Sequence, residues 1–334
     1  MTVTLRHPDG IVYLDDLSNG KRRIAVQILS NSLFAPKTDC VSAYPAELIE
    51  HILKVKGPAY LCDEITRDED PNYVQLLMEQ DLYAYFESKD FVGKRILDFG
   101  SGSGASTMVL ARMFPQSHIV GIELFEDLMS VARHRLKFYG YGNVEFHRSP
   151  SELDIPPNIG EFDFVIMSAV YEHMLPDERQ TLLPKLWRVL RPGGILFLNQ
   201  TPHRHFPIEH HTTGFPLINY LPDQITLRIV RNFSRRAHRN TTWETLLRRG
   251  IRGGTEQEIL AILGQESDGE AVLLEPNRKG MRDRIDLWYS ALNPRRYRLL
   301  KAGLRALLKG LKATFGIILV PNLSLAIRKS VESA

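Results

Sequence analysis

The feature that most constrains this chain is the run Asp98-Phe99-Gly100-Ser101-Gly102-Ser103-Gly104. It follows the apolar stretch Arg95-Ile96-Leu97 and precedes a segment with helical spacing at 105–114. Glycines let the backbone turn sharply and approach a ligand where a Cβ would clash. The helix N-terminus behind such a loop offers unsatisfied N–H groups and the positive end of the helix dipole. A strand–glycine loop–helix unit therefore predicts a ligand site at the carboxyl end of a parallel strand.

The surrounding pattern agrees. Short β runs (RILDFG, HIVGIEL, VEFH, FDFVIMSAV, ILFLNQT) alternate with helical segments at 105–114, 126–139 and 177–190 between Lys94 and Thr201. That alternation predicts a parallel sheet covered on both faces, an α/β doubly wound unit. Arg191-Pro192-Gly193-Gly194 reads as a turn that stops a helix and launches the next strand. Four regions are expected: an N-terminal extension over 1–91, a ligand-binding core over 92–202, a basic lid or substrate insertion over 203–319, and a closing edge strand with tail over 320–334. The extension reads as a hairpin (IVYL, the turn Ser18-Asn19-Gly20, IAVQIL) followed by helices at 45–56, with Pro45 in its first turn, and 71–87.

Composition narrows the class. The chain has 334 residues, 43% of them hydrophobic, which excludes a disulfide or metal mini-fold and wholesale disorder. Two cysteines, Cys40 and Cys62, cannot build a disulfide framework. No apolar run is long enough to span a membrane, and the first residues lack a secretory pattern, so a cytoplasmic location is expected. The net charge of +3 hides an asymmetry. Residues 203–334 hold 22 Lys+Arg against 12 Asp+Glu, a net +10, while residues 1–202 are net −7. A basic half suits an anionic partner or a solvated surface.

Two carboxylates sharpen the ligand. Glu123 ends the second strand, 19 residues after Gly104, where an acid can accept both hydroxyls of a ribose. Asp98 stands at the end of the first strand, poorly suited to a diphosphate and well suited to an ammonium group. A ligand with an amino-acid end is favoured over a dinucleotide, although an NAD-linked oxidoreductase and a non-catalytic binding module stay open as alternatives.

Asp98-x-Gly100-x-Gly102-x-Gly104, Glu123, the FDFVIMSAVYEHM stretch and LWRVLRPGGILFL together resemble the class I S-adenosylmethionine-dependent methyltransferases, over residues 92–202. The resemblance implies a seven-stranded Rossmann-like sheet and S-adenosylmethionine as cofactor. It implies that Asp98, Gly100, Ser101, Gly102 and Gly104 hold the methionine part and that Glu123, with Leu124 beside it, holds the ribose. Ser168, Ala169 and Val170 would line the floor near the sulfonium. Where the family places an adenine-binding Asp this chain has Pro150, within Ser149-Pro150-Ser151-Glu152, so adenine recognition is expected to fall to Ser151 or to backbone.

Methyl transfer to a hydroxyl gains from a nearby base, and histidine suits it. Glu172-His173, just after the fourth strand, and His203, just after the fifth, are the candidates. The His203–His211 run holds four histidines and Glu209 but matches no standard metal spacing, so no metal site is expected. Tyr44, Tyr171 and Tyr220 are further candidates for substrate contact. The expected activity is O-methylation of a small-molecule, sugar or lipid-linked glycan acceptor. No nucleic-acid-reading module is visible. Residues 295–312 place leucines at helical spacing between lysines and arginines, which suits either packing or peripheral contact with a membrane. A second copy of the chain is a further candidate partner.

Overall fold

The computed structural model describes residues 2–29, 35–234, 240–266, 269–292 and 297–330. The chain forms two compact units: residues 1–78, 91–93 and 100–149, and residues 79–90, 94–99 and 150–334.

The first unit opens with β1 (Thr2–His7), β2 (Gly10–Asp16), β3 (Arg22–Ile28) and β4 (Asp39–Ser42), an antiparallel sheet in that order. Alternation aims Val12, Leu14, Ile24, Val26 and Cys40 at one face. Helices Ala46–Lys56 and Pro58–Glu69 cover it with Leu48, Ile49, Ile52, Leu61, Cys62 and Ile65. The expected hairpin is β2 and β3, and Pro45 stands as N-cap of the first helix. Helix Pro58–Glu69 was not foreseen, because its last turn runs into the acidic TRDED stretch that reads as a break. The expected helix over 71–87 is a π turn at Pro71–Gln75, bent at Tyr73, and then helix Leu76–Tyr83.

The core strands are β5 (Arg95–Phe99), β6 (His118–Glu123), β7 (Val144–Arg148), β8 (Phe162–Ser168), β9 (Leu190–Pro202), β10 (Ala271–Leu274) and β11 (Asn322–Lys329). They form a mixed seven-stranded sheet in the order β10-β11-β9-β8-β5-β6-β7, the doubly wound α/β arrangement expected. In the first unit β6 and β7 pair in parallel, with helices Ala105–Met113 and Glu126–Tyr139 beside them. In the second unit β5 and β9 flank β8 in parallel. The Arg191–Gly194 segment belongs to β9 rather than forming a separate turn, and a register shift absorbs it.

Two features of the second unit correct the sequence reading. The strand read as a closing edge, β11, lies between β9 and β10, antiparallel to both. Its Leu325, Ala326 and Ile327 are fully buried in a row, as an internal strand demands. The edge is instead β10, a four-residue strand inside the segment read as a lid.

Helix Arg298–Phe315 packs Leu304, Leu308 and Leu311 around Ile285, Trp288 and Val320. Its cations are not simply solvated. Arg305 pairs with Asp286, Lys309 with Asp283 and Asp286, and Lys312 with Asp283. Burial raises the Asp286 pKa, but Lys309 and Arg305 outweigh it and bring the carboxyl down to about 2. The expected basic residues Arg295 and Arg296 lie outside the described residues. No described helix is long and apolar enough to cross a membrane.

Asp81 is buried in the second unit, accepting a hydrogen bond from Gln200 Nε2 at 3.0 Å. Burial pushes its pKa up to about 6. The folded chain therefore binds the proton more tightly than the unfolded chain between about pH 4 and pH 6. Stability from this group falls as pH rises through that window, by as much as about 3 kcal/mol. Asp81→Asn is expected to raise the urea midpoint at pH 7 and to match the parent at pH 4. Urea titrations across that range check it, and parallel pH profiles for the two proteins would contradict it.

Candidate active site

In the first unit the glycine loop is shaped by backbone geometry. Gly100 and Ser101 both donate their N–H groups to Ile122 O at 2.9 Å, which ties the loop to β6. Gly104 has φ +83 and is the N-cap of helix Ala105–Met113. A Cβ there would lie 2.7 Å from Ala132 Cβ, so the close approach of the two helices requires glycine. At Gly102, by contrast, a Cβ would meet open space.

Glu123 is 7% exposed at the end of β6. Its Oε1 accepts the N–H groups of Leu124 and Phe125 at 2.8 and 2.9 Å, and its Oε2 accepts Gly102 N–H at 2.8 Å. The loop and the acid thus fix each other. Oε2 keeps the capacity for another donor, as a ribose hydroxyl would be. Ser101 Oγ is buried without a hydrogen-bond partner among the described residues. A glycine bend next to open space, an anchored acid and an unsatisfied hydroxyl fit the sugar and amino-acid parts of a nucleoside ligand. Leu124 is half-buried beside the acid, and Phe125, which sequence reasoning missed, is an exposed aromatic next in the chain.

Beneath the loop lies a buried charge network that the sequence did not reveal. Arg135 is fully buried. Its Nη1 donates to Glu64 Oε1, Ser103 O and Ser103 Oγ at 2.9–3.0 Å. Ser103 Oγ also hydrogen-bonds Glu64, which Lys56 approaches at 3.3 Å. Burial pushes the Glu64 carboxyl up, but Arg135 and Lys56 overcome it and bring the pKa down to about 2. The N-terminal helix Pro58–Glu69 thereby holds the glycine loop from below. Tyr44 belongs to this layer: it is fully buried and hydrogen-bonds Asp68, so it is a core residue rather than a substrate contact.

In the second unit Asp98 ends the paired part of β5, in register with Ile166 of β8, and is 2% exposed. Ser168 ends β8 half-buried, Ala169 is exposed with φ +55, and Val170 is half-buried. Ala169 donates its N–H to Asn199 O of β9. Gln200 on β9 also has a positive φ of 64. Such backbone in non-glycine residues at two adjacent strand ends accompanies functional surfaces. Ser151 is half-buried, and its Oγ accepts Leu153 N–H at 3.2 Å.

The turn Tyr171–His173 follows β8. Tyr171 is fully buried beneath the Arg179 guanidinium, so it too is a core residue. Glu172 is fully buried, and its Oε2 accepts Thr201 Oγ1 at 3.0 Å. Burial raises its pKa. His173 Nδ1 donates to Arg248 O at 2.7 Å, because a carbonyl can only accept; Nε2 therefore carries the lone pair of the neutral ring.

The His203–His211 run disperses. Buried His203 receives His205 N–H at Nδ1, so its ring proton sits on Nε2. Burial, with His205 adding to it, lowers its pKa to about 4. His203 is thus neutral at neutral pH, with its Nδ1 lone pair engaged by the His205 N–H. Glu209 accepts Thr212 and Thr213 N–H groups and shapes its own loop. His210 reaches Asn322. His211 alone of the run stands beside Glu172 and His173. Tyr220 is exposed and donates to His205 O.

Residues 96–194 match the family described as a methyltransferase domain. Over those residues the chain carries a methyltransferase domain. The chain is 35% identical over 114 residues to the ubiquinone biosynthesis O-methyltransferase of Aromatoleum aromaticum, covering 34% of this chain and 46% of that one. It is 28% identical over 134 residues to the demethylmenaquinone methyltransferase of Lactococcus lactis, covering 40% and 52%. It is 30% identical over 131 residues to the trans-aconitate 2-methyltransferase of Deinococcus radiodurans, covering 39% and 46%. The chain spans about half the length of these curated relatives.

The two loop glycines separate strain from collision. Gly102→Ala meets only the backbone cost of a left-handed residue, about 1–2 kcal/mol. Gly104→Ala adds the clash with Ala132. Thermal melts are expected to rank Gly104→Ala well below Gly102→Ala; equal melting temperatures would refute the close approach.

Proposed function

We propose that this chain transfers the methyl group of S-adenosylmethionine to an oxygen atom of a small organic acceptor. The observation that carries the reading is His173, whose ring proton is committed to the Arg248 carbonyl, leaving a lone pair on Nε2 near buried Glu172. When bound, the cofactor supplies a methyl group on a positively charged sulfur, a centre that needs alignment more than activation. In the first unit the backbone of Gly100, Ser101, Gly102 and Gly104 takes the amino-acid tail, and Glu123, with Leu124 beside it, takes the ribose through Oε2. In the second unit Asp98 is the proposed partner of the ammonium group, and Ser151, Ser168 and Ala169 are the further residues proposed to meet the cofactor. The Glu172–His173 corner takes up the acceptor's proton as the O–C bond forms and the C–S bond breaks, its electron pair staying on sulfur.

The name of the Aromatoleum relative, which specifies transfer to oxygen, supports this choice of atom. The acceptor class is a small hydroxylated molecule in a biosynthetic pathway.

Titration calorimetry with S-adenosylhomocysteine tests the cofactor half. Glu123→Ala is expected to weaken binding by roughly 10–100-fold, the worth of a hydrogen bond to a charged group. His173→Ala is expected to leave that affinity intact and to lower the methyl-transfer rate by about 10²–10⁴-fold, the usual contribution of acid–base catalysis. Tight NAD binding with silence toward S-adenosylhomocysteine would overturn the reading.

A lipid-borne acceptor is a second reading. It is favoured by the outer face of helix Arg298–Phe315, where Leu299 and Leu300 are 88% and 72% exposed. Flotation with acidic liposomes at low salt is expected to carry the full chain upward. A protein that stays at the bottom rejects the lipid-borne acceptor and leaves the soluble one.

A further inference from the structure

The corner beside β8 contains an arrangement that a proton-transfer role alone does not explain. Glu172, His173 and His211 each offer one ligand atom, and these atoms lie within 4.8 Å of one another. Glu172 Oε1 is fully buried and has no hydrogen-bond partner among the described residues. An orphaned buried carboxylate oxygen is costly unless something that the side chains do not supply satisfies it. It lies 3.8 Å from His173 Nε2. That is too long for a hydrogen bond and suits two ligands of one ion.

The surroundings prepare each ligand. The Arg248 carbonyl holds the His173 proton on Nδ1 and so presents the Nε2 lone pair. The second nitrogen of a metal-bound imidazole is held in this way. Arg248 is itself fixed by two hydrogen bonds to Glu178, at 2.5 and 2.6 Å. Thr201 Oγ1 occupies Glu172 Oε2 and leaves Oε1 to face the gap. Gly250 closes the corner: a Cβ there would sit 3.1 Å from Glu172 Cγ and 3.3 Å from His211 Cδ2. The His173 and His211 rings stand 5.4 Å apart at 65°, edge toward face rather than stacked.

We propose that Glu172, His173 and His211 hold a divalent first-row transition ion such as zinc, with open coordination positions toward solvent. Two imidazoles and a carboxylate are the ligand set such ions take when positions are left for water or substrate. The consequence for catalysis rests on the methyltransferase reading above. A seated cation would bind the acceptor's oxygen and lower the pKa of its hydroxyl, with the proton leaving to solvent. His173 would then act as a ligand in place of a base.

The test is calorimetry of zinc chloride into the full-length chain after EDTA treatment and dialysis, with cobalt(II) absorption as a second readout. One equivalent is expected to bind, with a visible cobalt band of a nitrogen–oxygen site. His211→Ala and Glu172→Gln should each weaken zinc by at least tenfold and abolish the band. His210→Ala, one position away and turned to Asn322, should change neither. Circular dichroism and S-adenosylhomocysteine titration on each variant separate loss of the ion from loss of the fold or of the cofactor site. No zinc binding by the folded parent overturns the proposal. So does binding that survives both substitutions, or binding that falls equally with His210→Ala. If His211→Ala does not fold, Glu172→Gln decides the matter alone. Silence toward S-adenosylhomocysteine with intact zinc binding would refute the methyltransferase reading and leave the ion in place.

Discussion

A single buried guanidinium organises the first unit. Arg135 is sealed from water and joins helix Glu126–Tyr139 to Glu64 of an N-terminal helix and to Ser103 of the glycine loop. A charge in that position is tolerable only while its acidic partner is present, and removing one member strands the other. The loop above it has few side chains of its own to hold it. Its shape comes from Ile122 above, Glu123 beside it and this ion pair below. Helix Pro58–Glu69 thus helps to hold the glycine loop through Glu64.

What the sequence disclosed and what it concealed divide along physical lines. The glycine loop was legible because a left-handed turn favours glycine, and Glu123 because an acid at the end of the second strand, 19 residues after Gly104, suits the hydroxyls of a ribose. The parallel strands were legible as unbroken apolar runs. Helix Pro58–Glu69 was hidden because Asp68, one of its charged residues, is buried, which no periodicity of polar and apolar residues anticipates. The internal position of β11 was hidden because pairing on its second side depends on β10, too short to show alternation.

The histidine run shows the same limit at the scale of a site. Its spacing gave four equivalent imidazoles. Tertiary structure gave three of them separate fates: one buried and neutral, one on Asn322, one beside Glu172. Nothing local marks His211 apart from its neighbour. The positive charge of the second half is similarly misleading when counted along the chain, since Arg252 and Arg284, like the helix cations, are paired with nearby acids.

The insertion of β11 between β9 and β10 bears on how the polypeptide is made. On the ribosome β9 is translated well before its other neighbour, β11, exists. For that interval its outer row of amides and carbonyls is bare, an adhesive edge for other nascent chains. Lys329, at the far end of β11, donates to the carbonyls of Trp187 and Leu190 and so caps a helix synthesised much earlier. The helix end waits for the same late strand. Pairing between strands so far apart in sequence favours slow folding.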